Sequence, residues 1–176
     1  MRIALSIAGV AIFVLTAAGT ALAQGSGAEA RLKQLNITLP ADQAPAANFV
    51  NSVQAGKLLF LSGNTPGGQW PLKGKVGKDL TIEQGYESAR QTGLIMLGKI
   101  RTALGSLDRV KRIVKVLGMV NSADGFSDQP KVVNGFSDLM VEVFGETVGK
   151  HARSAVGMAG LPGNAPIEVE MIVEVE

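Results

Sequence analysis

The 176-residue chain contains no cysteine and a single histidine, His151. Without thiols there is no disulfide, no thiolate nucleophile and no redox-active sulfur pair. One imidazole and no thiolate leave a zinc site almost without ligands. Phosphate-cradling loops are missing as well. No G-x-x-x-x-G-K-[ST] run occurs, and Gly25-Ser26-Gly27 stands in a small polar lead rather than after a strand. Neither sign of charge dominates, with 17 Lys+Arg against 15 Asp+Glu. Such a balance demands no polyanionic partner, and nucleic acid is an unlooked-for ligand.

A long apolar run occurs only at the start. Arg2 supplies a positive n-region, Ile3 to Val14 an apolar stretch, and Ala21-Leu22-Ala23 an A-x-A site before Gln24. That pattern predicts a signal peptide over residues 1–23, cleaved after Ala23, and a periplasmic or secreted protein. The same run reaches Ala18, so an uncleaved N-terminal anchor is the alternative reading. No second long apolar run follows, and the cleaved chain predicts no membrane contact. Cleavage removes one basic residue, leaving 16 basic and 15 acidic. The remaining about 150 residues suit one domain with one core.

Residues 24–47 read as a flexible lead, a short helix near Ala30, Leu32 and Leu35, and an Ala- and Pro-rich connector from Pro40 to Pro45 that offers no site. The domain proper spans 48–176. Asn48 to Gly63 reads as a hairpin turning at Ala55-Gly56, its second strand apolar on both faces and therefore central. Asn64 to Lys78 is a long loop rich in glycine and proline. Thr81 and Gln84 have capping-box spacing, and Tyr86, Ala89, Gly93, Leu97, Ile100 and Leu104 form a helical stripe ending before Gly105. β-branched Leu107 to Val120 predicts a strand, and Pro130 to Phe144 a second helix closed by Gly145. The order strand, strand, helix, strand, helix, strand, strand predicts an α+β domain. Its mixed or antiparallel sheet carries both long helices on one face. The other face needs cover from water, loops or further subunits.

The chemistry-bearing residues lie in the last quarter. Ile167, Val169, Met171, Val173 and Val175 alternate with Glu168, Glu170 and Glu174, the period of a half-buried strand. In the preceding segment His151, Arg153 and Ala155 share a face, and Ser154 points away from His151, against a serine–histidine pair. Arg153 offers a planar fork of donors suited to a carboxylate, and Glu168 a carboxyl able to move protons. Sharing one sheet, the two could line one cleft. Otherwise Arg153 is a solvated or ion-paired strand arginine, and Glu168 one member of an exposed acidic row.

Several of these segments carry a family resemblance. Ala152-Arg153-Ser154, Leu161-Pro162 and Ile167-Glu168-Val169-Glu170 resemble the C-terminal signature of the YjgF family, the reactive-intermediate deaminases also called RidA. Leu59-Phe60-Leu61-Ser62-Gly63-Asn64-Thr65-Pro66 is similar to its second-strand motif, and Val133-Asn134-Gly135-Phe136 to the start of its second helix. The resemblance implies a chorismate-mutase-like fold forming a homotrimer, with sites in clefts between subunits. It further implies that Arg153 holds a substrate carboxylate, that Glu168 positions water, and that Asn134 and the Gly63 backbone contact substrate, with Ser62 adjacent. Phe49 stands where the RidA branch has tyrosine, and Ala155 where it often has cysteine. His151 is untypical of that branch and adds a group titrating near neutrality. Those features look like a sister branch labelled endoribonuclease.

Three functions follow from this reading. The first is cofactor-free hydrolysis of small imine or enamine carboxylates to 2-keto acids and ammonia. The second is a trimer that binds a small carboxylate without turnover. The third is ribonuclease action, resting on the family label and on Arg109, Lys111 and Lys115, and such a cluster is more often a solvated face.

Overall fold

The alternation in the last segment becomes strand β5 (Ile167–Val175), whose apolar residues are buried and whose glutamates and Ile172 face the other way. The computed structural model describes residues 27–176, so the signal-peptide reading of 1–23 lies outside the described residues. Around β5 the sheet is built on both sides. β2 (Leu58–Asn64) and β3 (Val110–Asn121) each pair with it antiparallel, β1 (Ser52–Ala55) flanks β2, and β4 (Ala152–Met158) runs parallel to β3. The order is β1-β2-β5-β3-β4. A parallel pair needs a crossover, and helix α3 (Gln129–Gly149) supplies it between β3 and β4.

Two long helices cover one face, as the element order predicts. α2 (Ile82–Leu104) starts at a complete capping box, Thr81 Oγ1 accepting from Gln84 N–H and Gln84 Oε1 from Thr81 N–H. It stops at Gly105 (φ 81°), whose left-handed backbone a side chain would disfavour. Ala89, Met96, Leu97 and Ile100 from α2 meet Phe136, Leu139 and Met140 from α3 above the buried side of the sheet. The short helix α1 (Ala28–Gln34) joins the same core through Leu32. Its Glu29 accepts two hydrogen bonds from Arg101, at 3.0 and 2.7 Å, and a third from the Leu107 N–H.

Boundaries moved where local chemistry overrode pattern. Gly145 leaves the helical region (φ 75°, ψ 171°) as expected, but one further turn carries α3 on to Gly149. Leu107–Arg109 form a 3-10 turn capped by Ser106 before β3 begins. Within β3, register shifts on β5 put both Ile113 and Val116 inward although they stand three apart. The even alternation of Arg109, Lys111 and Lys115 is thereby broken. Arg109 and Lys111 meet the Glu176 carboxylate at 3.8 and 2.7 Å, and Lys115 donates to Ser154 Oγ at 2.9 Å. In the long loop, the Lys75 ammonium donates to Asn121 Oδ1, Ser122 O and Ala159 O. All three of its donors are used, which pins the loop to the ends of β3 and β4.

The outer face of the sheet is more apolar than its glutamates suggested. Phe60 (41% exposed) and Val53 lie there with Ile172 and Leu117 around a 270 Å³ depression, and exposed Val156 lies on the same face. No helix among the described residues is long and apolar enough to cross a membrane.

Candidate active site

Arg153 is held, not free. Register pairs it with buried Val116, so its side chain leaves β4 on the helix-covered face and reaches α3. There Nη1–H donates to Asn134 Oδ1 (2.9 Å) and to Ser137 Oγ (3.0 Å). Both acceptors are uncharged. Among the described residues, no carboxylate pairs with Arg153 and its Nε and Nη2 donors make no hydrogen bond. A guanidinium fixed on one nitrogen and open on the others is a ready carboxylate receptor.

His151 extends this network. Its Nδ1–H donates to the Gly149 carbonyl at 2.7 Å, which leaves Nε2 of the neutral ring as acceptor for the Ser137 hydroxyl at 3.0 Å. Ser137 thus accepts from Arg153 while donating to His151. Sequence reasoning missed Ser137, although its place three residues after Asn134 puts it on the same face of α3. Burial holds the His151 pKa below its usual value and the Arg153 charge adds to this, against the bond to Gly149. The fold therefore favours the neutral ring. Its contribution to stability is complete above the ordinary imidazole range and is lost as pH falls through the lowered value. Urea unfolding across that window should show stability falling on acidification, with a flatter profile in His151→Gln. Equal slopes for both would deny His151 this part.

Glu168 occupies different ground. Register sets it opposite Met119, three residues along β5 from the inward Met171, so it lies on the outer face. A bulge between Leu61 and Asn64 turns Gly63 the same way. A Cβ on Gly63 would stand 2.3 Å from Glu168 Oε1, so the missing side chain is what lets the carboxylate lie against β2. Burial, and after it the charge of Glu170, pushes the Glu168 carboxyl above the usual carboxylate range. A carboxyl so placed is suited to taking up and returning a proton.

The expected common cleft is not formed within one chain. Arg153 and Glu168 share the sheet but stand on opposite faces, with β3 between their strands. Asn134 and His151 are gathered around Arg153; Gly63 and Ser62 belong with Glu168 on the outer side. Ser62 Oγ donates to the Val50 carbonyl at 2.6 Å. Phe49 precedes β1 instead of lying in it, and is 55% exposed. Ala155, two after Arg153, faces the core as a partly buried residue.

Fold and motif converge with known proteins. A family model described as "YjgF/chorismate_mutase-like, putative endoribonuclease" matches residues 29–175. The chain belongs to this YjgF family. It is similar to Protein TCP17 of Trypanosoma cruzi, at 47% identity over 149 residues, covering 82% of this chain and 92% of that protein. The crystal structure of protein Atu1372 from Agrobacterium tumefaciens is 39% identical with a TM-score of 0.76, covering 84% of this chain and 91% of the other. A "putative endoribonuclease" of Shewanella oneidensis is 30% identical with a TM-score of 0.80, covering 85% and 99%. The YjgF match extends over α1, in keeping with the burial of Leu32 in the common core.

Proposed function

We propose that this YjgF protein is an exported, cofactor-free hydrolase of small imine carboxylates, working in a cleft shared by adjacent protomers of a homotrimer. The observation that carries the reading is the open guanidinium of Arg153, oriented by Asn134 and Ser137 and lacking any carboxylate among the described residues. It would grip the substrate carboxylate. The Glu168 carboxylate would take a proton from water as the water oxygen bonds to the iminium carbon, giving a carbinolamine. The protonated Glu168 would return that proton to nitrogen. The C–N bond then breaks as the new hydroxyl gives its proton back to the carboxylate, releasing ammonia and a 2-keto acid. Because Arg153 and Glu168 stand on opposite faces of one chain, they serve one ligand only if a neighbour supplies the second. The exposed apolar residues of the outer face, Phe60, Val53 and Val156, support such self-association. Export rests on the sequence pattern of residues 1–23.

A second reading, a trimeric carboxylate-binding protein without turnover, is favoured by Phe49, which offers no hydroxyl. Ribonuclease action has less support, because Arg109 and Lys111 are engaged by Glu176 instead of forming an open basic stripe. The deciding assay generates imines from a panel of amino acids with an amino-acid oxidase and lets the protein compete with semicarbazide. Accelerated imine loss is expected. Arg153→Ala should lower that rate at least about tenfold, the loss of a charge-assisted contact worth roughly 1.5–3 kcal/mol. No acceleration with any imine would leave the binding reading in front.

A further inference from the structure

A second cavity, lined by neither Arg153 nor Glu168, lies where the N-terminal connector crosses α2. It measures about 500 Å³, and residues 40–43, 64–70 and one side of α2 enclose it. The connector read from sequence as featureless is what builds it. A Cβ on Gly98 would come within 2.7 Å of the Pro40 carbonyl oxygen, so only glycine lets the chain lie directly on the helix there. The next helix residue, Lys99, is 7% exposed, and its ammonium donates to Asp42 Oδ1 at 3.0 Å. Asn51 Nδ2–H donates to the same oxygen at 3.0 Å and holds Asp42 in place.

That pair is incompletely used. An ammonium carries three donors, and among the described residues Lys99 spends only one. Asp42 Oδ2 accepts no hydrogen bond among them. Buried charges with spare bonding capacity are costly unless something polar meets them. The cavity is far larger than one water, whose share of liquid volume is about 30 Å³. Its other walls are mixed, with polar groups from Gln43, Asn64, Thr65, Gln69 and Gln91. Trp70 donates its indole N–H to Ser88 Oγ at 2.9 Å, which sets the ring, and Ile95 and Pro66 lie with it on the apolar part of the lining.

We propose that this cavity binds a small α-amino acid as its zwitterion. The ligand carboxylate meets the spare donors of Lys99, its ammonium meets Asp42 Oδ2, and an apolar side chain lies against Trp70 and Ile95. The Lys99–Asp42 pair is neutral overall, so a ligand bearing both charges matches it and a ligand bearing one leaves either the ammonium or the carboxylate unanswered.

Trp70 is the sole tryptophan of the chain and reports directly on the cavity. Titrating L-leucine and L-phenylalanine should change its emission saturably. 3-Phenylpropanoate and 2-phenylethylamine, each lacking one of the two charges, should bind at least about tenfold more weakly. Lys99→Met and Asp42→Asn should each raise Kd by at least about the same factor. Asp42→Asn keeps size and an acceptor for Lys99, and so covers the case in which Lys99→Met fails to fold. Arg153→Ala should leave the titration unchanged. A cavity holding water alone would give no saturable emission change and no calorimetric heat, and would overturn the proposal. Binding that persists in Asp42→Asn, or that disappears with Arg153→Ala, would overturn it too.

Discussion

Mixing two inactive variants, Arg153→Ala and Glu168→Gln, should restore about one quarter of the wild-type imine-hydrolysing rate when subunits reassort at random. Each variant alone lacks one of the two groups at every site. If a cleft takes its arginine from one protomer and its glutamate from a neighbour, an equimolar mixture pairs two intact residues in about a quarter of the clefts. The ground for expecting this is geometric. Arg153 is opposite inward Val116 and is tied to α3, whereas Glu168 is opposite outward Met119 and rests on Gly63. No rotamer of either side chain crosses a sheet. Reassortment needs co-expression or joint refolding, and the recovered activity should rise with time of exchange. A mixture no more active than its components would mean that Arg153 and Glu168 do not act together on one substrate. The same measurement across pH carries a second signature. In the proposed hydrolysis a raised Glu168 pKa should set the acid limb of activity above the ordinary carboxylate range, because there the base form would take the proton from water.

Periodicity revealed most of the frame and little of the neighbourhood. The capping box at Thr81, the stripe down α2 and the alternation of β5 are local patterns whose physical cause lies within a few residues, and each is realised. Strand order is another matter. β5 lies between β2 and β3, and nothing in the alternation of Ile167 to Val175 distinguishes which strands it touches. The faces of Arg153 and Glu168 follow from their register on β3, opposite inward Val116 and outward Met119, so the sequence brings them into one sheet but not onto one side. Bulges in β3 likewise defeat counting by twos from Arg109 to Lys115. Ser137 could have been found from its helical spacing to Asn134. Asp42 could not, since its meeting with Lys99 follows from a close approach at Gly98 that no spacing along the chain encodes.

Gly135→Ala should be among the most damaging single substitutions in the molecule. Helix propensity argues the opposite, since alanine is favoured over glycine in a helix interior by about 1 kcal/mol. Packing decides otherwise. A Cβ on Gly135 would stand 2.0 Å from the Tyr86 carbonyl oxygen and 2.8 Å from its carbon, both backbone atoms of α2 that cannot swing aside. Gly93 faces a similar approach, but there the obstacle is the Leu139 Cδ2 methyl at 2.7 Å, the movable end of a side chain. Relief at Gly135 requires the two helices to part. A cost of at least about 3 kcal/mol is expected, the upper part of the range for overpacked cores. For a domain of this size that corresponds to a Tm lower by roughly 6–12 °C. Function should suffer further, because Asn134 and Ser137 flank the displaced turn and hold the Arg153 guanidinium. Gly160→Ala is the matched control, since a Cβ there meets nothing within 4 Å. Thermal unfolding of the two variants side by side checks the argument: equal stability would mean that α2 and α3 do not approach as closely at Gly135 as their backbones indicate.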